Sequence, residues 1–418
     1  MIKESSCADA HDPAALTVEA ARQQILDKIV PMSLTEQVPI RSALGRVLAE
    51  TIISPVNVPA HVNSAMDGYA LSGTGLPAEG KMHVYRQIGR VMAGQTFEGD
   101  VSRGNCVRIM TGAPMPVGTD TVVMQEQVEV DGDQVTIGSG HRQGQNVRQA
   151  GEDMAQGDAV FQPGKWLDPA DIGVMASMGL GEVSVVRRPT VAFFSTGDEL
   201  RSIGEPLGEG EVYDSNRYTV YGMLTRMGCN LLDMGVITDD PAKLRYAFEA
   251  AAEQADIIIT TGGVSVGEAD YIRSILEELG EVAFWKLAIK PGRPLTYGSL
   301  GKALFFGLPG NPVAVVVSFY QFVQPALRYL MSGEAKQPLL IPAKALSPMR
   351  KRPGRTEFAR GIYTIHDNGE IKVDTTGTQG SGILTSMSRA NCFIVLGNQQ
   401  GEVSPGDTVT IQPFVSLV

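Results

Sequence analysis

Asp256–Asp270, DIIITTGGVSVGEAD, runs an apolar β-branched segment straight into a glycine loop that ends on carboxylates. Ile257, Ile258 and Ile259 read as a short strand buried on both faces of a parallel sheet, because a continuous apolar run has no polar face to offer water. Gly262 and Gly263 permit a sharp turn and close approach of the backbone to a ligand. Tyr271–Leu279, YIRSILEEL, has helical spacing, so the loop presents backbone N–H groups at a helix N-terminus, where an anion fits. It has neither the GxxxxGK[ST] spacing of a P-loop nor the GxGxxG of a dinucleotide fold. Taken alone, the two glycines would serve a plain tight turn equally well.

The neighbouring segments favour a ligand. Thr190–Thr196 (TVAFFST) ends in Gly197-Asp198-Glu199, and Leu231–Thr238 (LLDMGVIT) ends in Asp239-Asp240-Pro241, while Glu268 and Asp270 follow the glycine loop. Strands with acidic C-terminal ends imply an acidic crevice at the carboxyl edge of a doubly wound sheet, where such folds bind ligands. A phosphate there needs positive charge, which Lys286, Lys290 and Arg293 of FWKLAIKPGRP supply. Glu199, Asp239 and Asp270 offer hard oxygen donors suited to Mg²⁺. Each residue also has a bland reading, as a helix cap or a solvated charge. Asp239 or Asp240 before Pro241 is the clearest case, reading as N-cap and first residue of a helix with Leu244, Phe248 and Ala251 on one face.

Composition bounds the rest. A chain of 418 residues exceeds one hydrophobic core, so several domains are expected. The longest apolar stretch, Val313–Val317, falls far short of the ~20 residues of a membrane span. The opening MIKESSCADAHDP has no apolar core of a secretory signal. Cys7, Cys106, Cys229 and Cys392 are scattered without a CxxC pair, which reads as reduced thiols in a cytoplasmic protein. A net charge of −11 argues against nonspecific nucleic-acid binding. The basic cluster Arg350-Lys351-Arg352-Pro353-Gly354-Arg355 reads as a solvated loop.

Along the chain, the fold class is multidomain α/β plus β. Thr17 is the expected N-cap of a helix carrying Ala21, Ile25, Leu26 and Ile29, and Asp168-Pro169 opens another with Ile172, Val174, Met175 and Met178. These two are expected to pack side by side in a discontinuous helical domain, 14–54 with 152–188. Between them, 55–151 is an inserted β domain, with strands such as Gln134–Ile137 after the turn Asp131-Gly132-Asp133. Residues 189–335 alternate strand-like and helix-like segments, the pattern of a three-layer α/β domain. Residues 336–418 are β-like again, through Glu370–Val373, Cys392–Leu396 and Thr408–Ile411, and imply a barrel or sandwich.

The loop TTGGVSVGEADY, with Ser64-Ala65-Met66-Asp67-Gly68-Tyr69-Ala70, Met110-Thr111-Gly112-Ala113-Pro114, Ser195-Thr196-Gly197-Asp198-Glu199-Leu200, Lys290-Pro291-Gly292 and Leu308-Pro309-Gly310-Asn311-Pro312, resembles the bacterial molybdopterin molybdenumtransferase family, related to the gephyrin E domain. The motifs occur in order from about Leu16 onward, although Arg293 stands where the family pattern has Lys. The resemblance implies an elongated four-domain subunit that dimerises, with the active site on the α/β domain and walled by the partner's β domain. It implies a cytoplasmic, Mg²⁺-dependent transferase that binds adenylylated molybdopterin, takes molybdate and releases AMP. Catalytic roles fall on Glu199, Asp239, Asp270, Lys286 and Lys290, with the three acids as metal ligands. Substrate contacts fall on Asp67, Thr111 and Arg148, on Gly262, Gly263 and Ser265, on Arg293, Pro309, Asn311 and Pro312, and on Arg360 and Ser381. Contact with the molybdopterin adenylyltransferase and other proteins of the pathway is implied too. Neither nucleic acid nor membrane is expected as a partner. An adenylyltransferase shares the TTGG loop but needs neither MDGYA nor a C-terminal β domain, and a non-enzymatic scaffold would need fused domains that are not evident.

Overall fold

Ile257, Ile258 and Ile259 are fully buried, at the centre of a six-stranded sheet. The computed structural model describes residues 15–262 and 270–414, so Gly263, Ser265 and Glu268 lie outside the described residues, as does the side chain of Asp270. The chain divides into two compact units, one of residues 1–36, 45–47 and 186–418, the other of 37–44 and 48–185.

In the first unit the strands are β1 (Thr190–Thr196), β2 (Asn230–Ile237), β3 (Ile257–Thr261), β4 (Gly280–Lys286), β5 (Pro294–Leu300) and β6 (Ala303–Leu308). Their order is β2-β1-β3-β6-β5-β4, parallel across the first four and antiparallel at β5 and β4. Ser195 lies opposite Thr261 and Thr261 opposite Leu308, so the loops after β1, β3 and β6 leave one edge together. The helices are α1 (Ser215–Arg226), α2 (Pro241–Gln254), α3 (Asp270–Leu279), α4 (Pro312–Ser318) and α5 (Gln324–Ser332). Helices α2 and α3 pack together on one face, where Phe248 meets Phe194 and Phe305 edge-on at centroid distances of 5.3 and 5.8 Å. On the other face α1 packs on β1, β2 and α4. This is the expected three-layer sandwich.

The C-terminal part closes into a barrel of five strands: β7 (Ile341–Ala345), β8 (Thr356–Ile365), β9 (Ile371–Thr375), β10 (Cys392–Leu396) and β11 (Thr408–Pro413). Strand β8 pairs with both β9 and β10, and β7 with both β9 and β11, while β10 pairs with β11, so no edge is left open. Ala343, Val373, Ile394 and Ile411 fill its interior. Ile289 and Lys290 pair in parallel with Thr356 and Glu357 of β8, tying the barrel to the segment between β4 and β5.

Thr17 caps the helix Val18–Leu26, accepting from the Ala20 amide at 3.1 Å, as its position predicts. The buried Val18, Ala21 and Ile25 of this helix belong to the first unit, where it lies on α5 and the π-helical turn Phe319–Val323, and Arg22 donates to Gln321 Oε1 at 3.0 Å. Spacing identifies an apolar stripe but not the surface that covers it.

In the second unit, Pro169–Ser177 begins with a reciprocal capping box between Asp168 and Asp171 and buries Met175 with Leu48, Leu167 and Val183. A six-stranded sheet makes up its β part, in the order Thr121–Met124, Gly68–Leu71, Asn105–Ile109, His83–Val91, Gln134–Ile137, Val128–Asp131. Gly68 is required there: a Cβ would lie 2.1 Å from the Val123 carbonyl oxygen of the next strand.

Candidate active site

The three loops that leave the sheet edge open onto a cavity of about 930 Å³, closed on its other side by the barrel, all within the first unit. Thr196, Gly197 and Glu199 line it after β1, Asp239 after β2 and Gly262 after β3. Pro309, Gly310 and Asn311 enter after β6, and Lys290 to Pro294 cross between the sheet and the barrel. Gly262 has φ +87°, and a Cβ on it would sit 2.4 Å from the Thr196 carbonyl oxygen, so the turn read from the sequence admits only glycine.

The two aspartates before Pro241 separate into two roles. Asp240 is the N-cap of α2, accepting from the Ala242 and Lys243 amides at 2.9 and 3.0 Å, whereas Asp239 lines the cavity. Asp198 Oδ1 accepts from the Asp239 amide at 3.1 Å and so ties the loop after β1 to the loop after β2. Asn216, near the start of α1, donates to the Gly310 carbonyl at 2.7 Å and holds the Pro309–Asn311 loop. Nothing in the sequence marked that role.

Positive charge comes from the opposite wall. Lys290 Nζ lies 3.0 Å from Glu357 Oε2, a pair set by the register of Ile289–Lys290 on β8. Arg360, 1% exposed, donates from Nε to Ser386 Oγ at 3.0 Å and from a terminal nitrogen to the Gly380 carbonyl at 2.9 Å. Burial pushes its pKa down, but a guanidinium stays charged, so these two bonds fix a cation in the wall. Arg293 and Ser381 also line the cavity.

Of the sequence candidates, Glu199, Asp239, Gly262, Lys290, Arg293, Pro309, Asn311, Arg360 and Ser381 therefore converge. Lys286 does not line the cavity: it is exposed at the end of β4, opposite Pro294. Pro312 does not line it either; it is the first residue of α4, where its missing N–H costs nothing. The basic stretch is no solvated loop, because Arg350 and Arg355 line the cavity and Lys351 is buried. Glu357, Arg350 and Arg355 were not expected here, since only strand pairing brings them to the cleft.

In the second unit, Asp67 Oδ1 accepts from both the amide and the hydroxyl of Thr111, each at 2.7 Å. The amide bond foremost, then the hydroxyl bond, holds the Asp67 carboxyl below the usual carboxylate range. Arg148 lies on the two-residue strand Val147–Arg148, 3.9 Å from Glu152.

Glu199 and Asp239 give the cavity two hard oxygen donors, which fits Mg²⁺. Among the described residues no group of three His, Cys, Asp or Glu side chains forms a metal cluster. No described helix is long and apolar enough to cross a membrane.

Residues 16–179 match the family described as MoeA N-terminal region (domain I and II), 192–329 the probable molybdopterin binding domain, and 342–414 the MoeA C-terminal region (domain IV). A protein of Haemophilus influenzae named molybdopterin molybdenumtransferase is 44% identical over 96% of this chain and 100% of its own. One of the same name from Bacillus subtilis is 33% identical over 90% of this chain and 89% of its own. The crystal structure of a molybdopterin biosynthesis moeA protein from Pyrococcus horikoshii superposes with a TM-score of 0.83 at 29% identity, covering 96% of this chain and 100% of that one. On matches of this extent, the chain belongs to the molybdopterin molybdenumtransferase family.

Proposed function

We propose that this protein transfers molybdenum from molybdate to adenylylated molybdopterin and releases AMP, in the cleft between the sheet edge and the barrel. The observation that carries this reading is one cavity with Glu199 and Asp239 on one wall and Lys290, Arg293 and Arg360 on the other. A phosphoanhydride needs both: carboxylates to hold a metal against its oxygens, and cations to take up the charge that develops on cleavage. Mg²⁺ would be held by Glu199 and Asp239, with Asp270 as a further ligand, and when bound it neutralises phosphate oxygen charge. Lys290 and Arg293 bind the oxyanion. Arg360, held by Ser386 and Gly380, adds a cation that loses little freedom on binding. Asn216 keeps the Pro309–Asn311 loop in place against the substrate.

The same reading makes the protein cytoplasmic and homodimeric, with Asp67, Thr111 and Arg148 of one subunit contributing to substrate binding on the other. Its substrate comes from a molybdopterin adenylyltransferase. Adenylyl transfer by this chain itself is the weaker reading, because Arg360 and Ser381 enter the cleft from the barrel, which that reaction does not call for. The deciding experiment incubates the purified protein with adenylylated molybdopterin, Mg²⁺ and molybdate and follows AMP and metal-loaded cofactor. AMP release that depends on molybdate is expected; none under these conditions removes the reading.

A further inference from the structure

Strand β8 is clamped on both sides where its ladders stop. Its pairing with β9 ends at Gly361 opposite Thr375, and its pairing with β10 ends at Gly361 opposite Cys392. Arg360 lies just past the end of β9. Its carbonyl accepts from the Thr376 amide at 3.0 Å, and its amide donates to Gln379 Oε1 at 2.8 Å. Gln379 Nε2 returns a bond of 3.2 Å to the same carbonyl, so one side-chain amide stands where the next peptide unit of β9 would pair. Asn391 does the same for Tyr363 past the end of β10, through bonds of 2.8 and 3.0 Å.

The two clamps differ in what surrounds them. Asn391 is exposed and does not line the cavity, whereas Gln379 lines it together with Gly377, Gly380 and Ser381. Gln379 Nε2 also reaches the Gly377 carbonyl at 3.1 Å and so closes the loop on itself. The Arg360 guanidinium donates to the carbonyl of Gly380, the very next residue. One side chain therefore holds both the backbone of Arg360 and the loop that receives its guanidinium. Ser381 follows, and its carbonyl accepts from the Val313 amide of α4 at 3.1 Å, which ties the same loop to the sheet side of the cleft. Capping a ladder accounts for the bonds to the Arg360 backbone. It does not account for a place in the cavity wall beside the acceptor of the guanidinium.

We propose that Gln379 is a positioning residue for the anion site, presetting Arg360 by holding both its backbone and the Gly380 acceptor of its guanidinium. Arg360 is 1% exposed, so a small shift of strand or loop changes what its remaining donors can reach in the cavity. A guanidinium presents its donors as a rigid fork, and an anion gains most from a fork that is fixed before it arrives. The proposal rests on reading the cleft as an oxyanion site and adds to it a residue that acts through Arg360 rather than on the reacting atoms.

The test titrates the full-length protein calorimetrically with inorganic molybdate. Arg360→Met and Gln379→Met should each weaken binding by about ten-fold, the loss expected for one charge-assisted bond. Because Gln379 acts through Arg360, the double variant should bind no more weakly than Arg360→Met alone. Asn391→Leu removes the other clamp of β8 and should bind as the unaltered protein does. Should Gln379→Met fail to fold, Gln379→Asn, whose amide is too short to reach both groups, takes its place. Should Arg360→Met fail to fold, the contrast between Gln379→Met and Asn391→Leu decides. Unchanged molybdate affinity in Gln379→Met overturns the proposal, as do losses that multiply in the double variant or an equal loss in Asn391→Leu. These readouts need no turnover, so Gln379-dependent binding by a protein that releases no AMP would keep the positioning role and sink the proposed reaction instead.

Discussion

Asp239 and Asp240 are adjacent in sequence and differ only in where the chain turns. Asp240 caps α2, so Asp240→Ala should cost about 1 kcal/mol of stability in a denaturant titration and leave most of the activity. Asp239 lines the cavity and is not the N-cap of α2, so Asp239→Ala should lower AMP release by about 100-fold or more while costing less stability than Asp240→Ala. A reversed pattern would show that the capping assignment is wrong. Glu357 acts through Lys290. Their half-exposed pair adds modest stability, but losing it frees the lysine, so Glu357→Gln should cut the rate by about ten-fold with a small drop in melting temperature. Asp67 gives a pH prediction. Its carboxyl pKa is lowered in the folded state, so its contribution is present above its unfolded value of about 3.9 and is lost as pH falls through the folded one. Asp67→Asn keeps an oxygen for Thr111 but no charge, so its deficit in melting temperature at neutral pH should shrink below about pH 4. An equal deficit at both pH values would remove the charge from the account.

At the scale of elements, the chemistry hangs on the shared register of β1, β3 and β6, which brings three loops to one edge. Gly262 shows how tightly these loops approach. Gly262→Ala should abolish AMP release, because the added methyl meets the Thr196 carbonyl and must push the two loops apart. Phe248 holds the other face: Phe248→Ala removes the ring between Phe194 and Phe305 and should cost about 3–5 kcal/mol, read from chemical denaturation. The two variants separate function from stability, since the first should leave Phe248's core intact and the second should leave the loop geometry of whatever fraction remains folded.

For the whole molecule, the open question is assembly. Proposed sharing of sites between two subunits predicts complementation: Asp67→Ala and Asp270→Ala chains, each inactive alone, should regain activity when mixed and allowed to exchange. In such a heterodimer one site is wild type and the other carries both defects, as closed two-fold symmetry requires. Verified exchange without activity would place each complete site within one chain.

Much of this protein was legible from local pattern. The buried Ile257–Ile259 strand, the caps Thr17, Asp168 and Asp240, the glycine turn at Gly262 and the β character of the C-terminal part follow from period, capping chemistry and turn residues. Such signals lie within a few residues of each other, where sterics and hydrogen bonding act directly. Tertiary structure alone decided which surface covers the stripe of Val18–Leu26, why Lys286 and Pro312 stand outside the cavity, and how Arg350, Arg355 and Glu357 enter it. Those outcomes depend on pairings such as Lys290 with Glu357, 67 residues apart. A strand's own sequence specifies that it will pair but carries no local mark of its partner, so the places of Arg350, Arg355 and Glu357 in the site became visible only when the barrel closed.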